Sequence, residues 1–258
     1  MILFKIHGGL GNQLFQWAYS YALSKSHKTF LDISFYNKEQ DKYTNFDKRT
    51  FDISSVINQP VKLIDGGNHK KFMSSPFKTI MDNFTYDPVD IQNGLNYYFN
   101  GFWQNENYFL KYRDEIINSL VLPKSPCDPG NNDCCIHVRR GDYLLNPDHF
   151  IVQDISYYHK SLEIIEPNNN IYIITDDPSW CARKFPQDSF IIHDSGSHFK
   201  DFSLMSSCKY NIISNSTFSW WAAWINNQTG KKITYPSSWF GPANPPIKDI
   251  CPTSWIAV

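Results

Sequence analysis

The chain lacks several features that would each settle its class. No run approaches the roughly 20 apolar residues of a membrane-spanning helix, and Met1-Ile2-Leu3-Phe4-Lys5-Ile6 is too short for a signal-peptide core. Neither charge sign is in excess: the formal net charge is −1, which argues against a dedicated nucleic-acid binder. The six cysteines, Cys127, Cys134, Cys135, Cys181, Cys208 and Cys251, form no C-x-x-C pair, and the eight histidines are scattered. The thiols are therefore expected to be mostly buried and reduced, in a cytoplasmic protein. Three sequons, at Asn83, Asn215 and Asn227, carry no weight without secretion. No internal repeat and no low-complexity stretch is present.

What is there suffices for a large core. The 258 residues are 41% hydrophobic and 19% charged, and aromatics reach 16%. Such a length allows one large domain or two lobes of roughly 120 residues each. The opening reads as a strand over 2–6, a turn Gly8-Gly9-Leu10-Gly11-Asn12-Gln13, and a helix with Leu14, Ala18, Tyr21 and Ala22 on one face. Thr29 to Ile33 reads as a second strand. From about 37 to 97 the pattern is weak and loop-rich, and Tyr108 to Leu120 reads as a helix. A Pro-rich segment over 123–133 is the expected linker, dividing the chain into lobes 1–122 and 134–258.

Beyond 133, strands are expected over 134–138, 171–175, 190–193, 211–214 and 232–235. Helices are expected over 156–166, 178–185, 201–209 and 218–226, the second opened by Pro178. This alternation predicts an α/β fold with a parallel sheet covered on both faces.

Four strand-to-helix junctions could carry chemistry. The densest is His137-Val138-Arg139-Arg140-Gly141-Asp142, with four polar groups in six residues. Strand alternation puts His137 and Arg139 on one face and Arg140 on the other. Arg suits phosphate through its planar fork, but buried arginines also pair with carboxylates, and both readings stand. Arg140-Gly141-Asp142 also spells an integrin ligand, at odds with its place after an apolar strand. The Gly8–Gln13 turn is neither a dinucleotide fingerprint nor a P-loop, since it lacks the third Gly and any Gly-Lys-Ser/Thr. Yet Gly11, Asn12 and Gln13 set two amides at a helix start, where N–H groups face an anion. Asp176 and Asp177 read either as a base or ribose contact or as a helix N-cap, and Asp201 likewise. Asn215-Ser216-Thr217-Phe218 supplies more hydroxyls and amides than one cap requires.

Together, Gly8-Gly9-Leu10-Gly11-Asn12-Gln13-Leu14-Phe15-Gln16, His137-Val138-Arg139-Arg140-Gly141-Asp142-Tyr143 and Asn215-Ser216-Thr217-Phe218-Ser219-Trp220-Trp221 resemble the α-1,2-fucosyltransferase family. The match runs in order from Ile2 to about Pro236. The first two elements are also similar to those of α-1,6- and protein O-fucosyltransferases. The resemblance implies a GT-B-like fold with two Rossmann-like lobes and the donor nucleotide in the C-terminal one. It implies an inverting transfer from GDP-β-L-fucose to the 2-OH of a terminal β-galactoside on an oligosaccharide or glycolipid. Arg139 would then hold the β-phosphate with Arg140 in support. His137 and Asp201 would lie near the guanosine. Ser216, Thr217 and Phe218 would line the donor pocket beside Asn215, and Asn12 would reach the reacting centre. Asp142, Asp148 and His149 are the candidate general bases. No Asp-x-Asp is present, so no metal and no cofactor are expected. The acceptor side, over 37–97, matches nothing. Without an anchor or stem, the expected setting is the cytoplasm, with peripheral contact to the inner membrane in O-antigen or lipopolysaccharide synthesis. A fucosyltransferase of another linkage, or a non-catalytic nucleotide- or glycan-binding protein, are the alternatives.

Overall fold

The computed structural model describes residues 1–36, 49–65, 72, 74, 76–125, 127–130, 132–244 and 249–258. The chain divides into two compact units, the first ending at Val121 and the second beginning at Leu122. Both are built on fully parallel sheets.

In the first unit, β1 (Ile2–Lys5), β2 (Thr29–Asp32), β3 (Leu63–Ile64), β4 (Lys78–Met81) and β5 (Tyr97–Asn100) are ordered β3-β2-β1-β5-β4. The apolar run Ile2-Leu3-Phe4 is fully buried, as an inner parallel strand must be. Helix α1 (Leu10–Ser24) follows it and is buried almost all round from Leu10 to Ser20. That makes it a core helix rather than a half-exposed one. The stretch 37–97 is not purely loop: its described part contributes β3, β4 and a 3-10 turn at Ile53–Ser55. Both strands lie at sheet edges, and β4 is largely exposed, so neither carries a buried apolar alternation to read. The helix expected over 108–120 is broken into two 3-10 turns and a short α2 (Arg113–Asn118).

The second unit contains β6 (Cys134–Val138), β7 (Ile171–Thr175), β8 (Phe190–His193), β9 (Tyr210–Ile212), β10 (Lys232–Tyr235) and β11 (Ile256–Ala257). Their order is β11-β10-β9-β6-β7-β8. Counted from β6 this is 3-2-1-4-5-6, the doubly wound order, whose strand sequence reverses between β6 and β9. Helices α3 (Gly141–Leu144), α4 (Ile155–Ile165), α5 (Pro178–Lys184), α6 (His198–Ser207) and α7 (Thr217–Ile225) complete it. The core between β6, β7, α4 and α5 gathers Ile136, Val138, Tyr158, Ile173, Trp180 and Phe185. Helix α7 buries Trp220, Trp221 and Trp224.

The described residues of 123–133 pack into the second unit instead of standing apart. Pro123 O accepts from Ser203 Oγ at 2.8 Å, and Gly130 N donates to the buried Asp133 carboxylate at 2.7 Å. Near the other end, Asp249 and Ile250 group with the first unit, not with 134–258. Asn105 Nδ2 binds Asp249 O there at 3.1 Å. All six cysteines are free, and five are buried.

Candidate active site

An open parallel sheet binds ligands outside the carboxyl ends of its strands, where the strand order reverses. In the second unit that place lies beyond β6 and β9. His137, near the end of β6, shares a 2.8 Å hydrogen bond through Nδ1 with Ser214 Oγ, which follows β9. The residue is 6% exposed, and its ring lies 5.8 Å from that of Phe218. Burial, with the charge of Arg139 added, pushes its pKa down to about 3. His137 is therefore an uncharged hydrogen-bonding group at neutral pH. A histidine held neutral in the fold but titrating near 6.5 when unfolded favours folding above pH 6.5. That stability is lost as pH falls from about 6.5 toward 3, by an amount on the order of a few kcal/mol. A His137→Gln variant is expected to flatten this acid limb in urea melts, and an unchanged limb would place the titration elsewhere.

The arginine pair is held by the loop after β7. Arg139 Nη2 meets Asp142 Oδ1 at 2.5 Å, and Nη1 meets Asp176 Oδ2 at 3.1 Å. Burial alone disfavours its charge, but the two carboxylates outweigh that and hold its pKa above the ordinary value. Its side chain is 25% exposed. Arg140 Nε binds Asp177 Oδ2 at 3.0 Å, and its guanidinium lies 4.4 Å over the Trp180 ring. Its backbone N–H donates to Asp176 Oδ1 at 2.8 Å. Gly141 lets this turn close, since a Cβ there would stand 2.8 Å from Asp176 Oδ2.

Three expectations change here. Asp142 pins Arg139, so its carboxylate is engaged and not an open general base. Asp176 is committed to both arginines. Asp177 is the N-cap of α5, accepting from Trp180 N at 2.9 Å, and it pairs with Arg140 as well. That hydrogen bond from Trp180, and then Arg140, hold its carboxyl below the usual range. The acidic pair thus positions the arginines.

The junction after β9 opens α7. Ser216 is its N-cap residue, extended at φ −128°, yet makes no side-chain cap bond. The first N–H groups of α7 thus have no capping side chain from Ser216, and Thr217 and Phe218 beside them are half-buried. Asn215 is not a ligand group: it is buried, and its Nδ2 donates to Ile151 O at 3.0 Å and Trp239 O at 2.8 Å. Tyr143 OH donates to Asn215 O at 2.9 Å, and Arg139 lies 5.5 Å over the Tyr143 ring. The arginine turn and the α7 N-terminus are thereby joined through Tyr143.

Asp201, in the first turn of α6, accepts from Ser195 Oγ at 2.5 Å and lies 3.8 Å from His193 Nε2. His193 went unnoticed in the sequence, although, like His137, it sits at the carboxyl end of a strand. Its Nε2 is buried without a hydrogen-bond partner. Asp148 and His149 are exposed and belong to a turn tied to 241–244, where His149 O accepts from Gly241 N at 2.9 Å.

In the first unit the sheet order reverses between β1 and β5, and the Gly8–Gln13 segment lies there. Gly8 has φ +83°, and a Cβ would meet Asn12 Nδ2 at 2.7 Å. Helix α1 starts at Leu10, so Asn12 and Gln13 lie in its first turn, facing different ways. Gln13 is 0% exposed. Its Nε2 donates to Gly8 O and Thr50 O at 3.0 and 2.8 Å, and its Oε1 accepts from Asp52 N and Ile53 N at 2.9 and 3.0 Å. Gln13 is a strut, not a donor-binding group, and Gly11 is buried beside it. Asn12 alone of the three remains half-exposed, with Oδ1 accepting from Gln104 Nε2 at 3.0 Å. Among the described residues no group of three or more His, Cys, Asp or Glu is disposed to hold a metal ion. No helix among them is long and apolar enough to cross a membrane.

A family model described as "Glycosyl transferase family 11" matches residues 5–256. The chain is 28% identical to an alpha-1,2-colitosyltransferase of Escherichia coli, over 100% of this chain and 99% of that one. It is 27% identical to the O-antigen biosynthesis glycosyltransferase WbnK of Escherichia coli, covering 93% and 95%. It is 25% identical to a galactoside 2-alpha-L-fucosyltransferase of Caenorhabditis elegans, covering 87% and 68%. In fold it is similar to a crystal structure of NodZ alpha-1,6-fucosyltransferase soaked with GDP-fucose. The TM-score is 0.53 at 10% identity, covering 87% of this chain and 92% of that one.

Proposed function

The chain belongs to glycosyltransferase family 11, and on that premise we propose that it moves L-fucose from GDP-β-L-fucose to the 2-OH of a terminal β-galactoside, inverting the anomeric centre. One observation carries the donor assignment: an uncapped helix N-terminus stands where the sheet order reverses, joined through Tyr143 to a fixed Arg139. Fucosyl transfer leaves GDP, whose diphosphate gains charge as the glycosidic bond breaks. Donors already oriented toward that charge stabilise it without reorganising. The α7 N–H groups and the hydroxyls of Ser216 and Thr217 supply neutral donors, and Arg139 supplies the charge. Arg139 has five N–H donors, of which the two carboxylates each take one contact.

Phe218 lines the nucleoside side, and Asp201 takes the guanine N–H groups. Arg140, paired with Asp177, holds the turn. Asn12 acts at the reacting centre. The acceptor oxygen bonds to the anomeric carbon from the face opposite the departing phosphate and, with the Asp142 carboxylate bound to Arg139, releases its proton to water as GDP leaves. Transfer proceeds without a metal ion, on a soluble or lipid-linked glycan in the cytoplasm.

The colitosyltransferase similarity over the whole chain favours one second reading, in which the donor sugar lacks the fucose 3-hydroxyl. The test measures GDP release from GDP-fucose and from GDP-colitose, with and without lactose and with excess EDTA, followed by NMR of the product. Expected are lactose-stimulated release from GDP-fucose, an α-1,2 linkage, and turnover that survives EDTA. Preference for GDP-colitose selects the second reading. Loss of activity in EDTA restored by manganese overturns metal independence. GDP binding without turnover on any acceptor leaves only a binding protein.

A further inference from the structure

Beyond β5 the chain makes a costly turn. Trp103 adopts φ +57°, a conformation that bulky side chains avoid. It is locked there: Phe102 N and Trp103 N both donate to Asp82 Oδ2, at 3.0 and 2.9 Å. Its ring packs against those of Tyr19, Phe99 and Tyr108 at 5.6, 5.3 and 5.8 Å. The turn brings Gln104 to α1, where its Nε2 donates to Asn12 Oδ1. The other amide atom, Oε1, is buried with no partner.

The neighbouring glutamines show how unusual that is. Gln13 satisfies both ends of its amide, and so does Gln16, which accepts from His7 N and donates to Gly101 O, each at 3.0 Å. Turning over both the Asn12 and the Gln104 amides keeps their mutual bond but leaves Gln104 Nε2 in the orphan position. Buried polar atoms are rarely left so.

We propose that Gln104 is a substrate-positioning residue. It fixes the Asn12 amide with Nδ2 presented to the bound sugar. This rests on the sugar-transfer reading above. The test compares Gln104→Met, Gln104→Glu, Asn12→Ala and the Asn12→Ala/Gln104→Met double variant. Turnover, thermal stability and GDP affinity are measured for each.

The methionine variant is expected to lose about ten- to a hundredfold in kcat/KM with GDP affinity unchanged. The double variant should be no slower than Asn12→Ala alone, because the two residues act as a unit. Glutamate can accept a hydrogen bond from Asn12 but cannot donate to Oδ1. Gln104→Glu is therefore expected to regain stability relative to Gln104→Met without regaining turnover, an outcome that a packing role would not produce. Wild-type turnover in the methionine variant, multiplying losses in the double variant, or glutamate restoring both properties would each overturn the proposal. A wild-type protein that transfers sugar from neither GDP donor would bring down the transferase reading first, and this one with it.

Discussion

Arg139→Ala is expected to lower turnover by roughly 10²–10³-fold, the usual loss when one fixed donor to a developing charge is removed. The guanidinium is joined to the α7 N-terminus through Tyr143 and brings a positive charge there, whereas His137 is held neutral. Arg139→Lys should recover little: an ammonium keeps the charge but cannot meet Asp142, Asp176 and a phosphate together in one plane. Removing the arginine also strips Asp142 and Asp176 of their shared counter-charge. These groups are partly exposed, so the stability cost should be about 1–2 kcal/mol, below that of a fully buried pair. Turnover and donor affinity are measured alongside a urea melt, which separates the two effects. A folded Arg139→Ala protein at full turnover would sink the assignment of the donor site.

Gln13→Leu is expected to act in the opposite way, on stability and not on donor binding. The side chain is fully buried and makes four hydrogen bonds that fasten the segment around 50–53 to α1. Leucine fills a similar volume but removes the partners of two carbonyls and two backbone N–H groups. Each such loss costs about 1–3 kcal/mol when the group stays dry. Relaxation at the edge of the site limits the sum to about 3–5 kcal/mol, at the severe end for one substitution. A chemical denaturation midpoint well below wild type, with unaltered GDP affinity, is the expected pair of results. A protein of normal stability that binds GDP weakly would return Gln13 to the ligand.

Much of the second sheet was legible. The runs 171–175, 190–193 and 232–235 are short, apolar and bounded by turn residues, and the strands fall on those residues. Pro178 after Asp177 marked the start of α5, because a residue without an N–H loses nothing there. Elsewhere the local signal misled. Helix α6 starts at His198, three residues before the Asp201 that resembled its cap, with Ser197 extended before it. The strand expected over 211–214 ends at Ile212, which releases Ser214 to reach His137. Edge strands β3 and β4 carry too little buried alternation to be seen.

The site divides along the same line. The residue types of the three motifs, and their places at the carboxyl ends of strands, follow from the order of apolar runs and turn residues along the chain. Which carboxylate holds which arginine does not, since Asp142 and Asp176 are 34 positions apart and meet only where β6 and β7 lie side by side. Nor does the difference between Asn12 and Gln13, chemically alike neighbours that one step of helical rotation sends to the surface and to the core. The charge of His137 and the orphan amide of Gln104 likewise depend on what surrounds them. Sequence by itself determined the family, the alternating architecture and the stock of chemical groups. Tertiary structure alone decided which groups pair, which are buried and which stay open, because pairing and desolvation depend on neighbours far away in the chain.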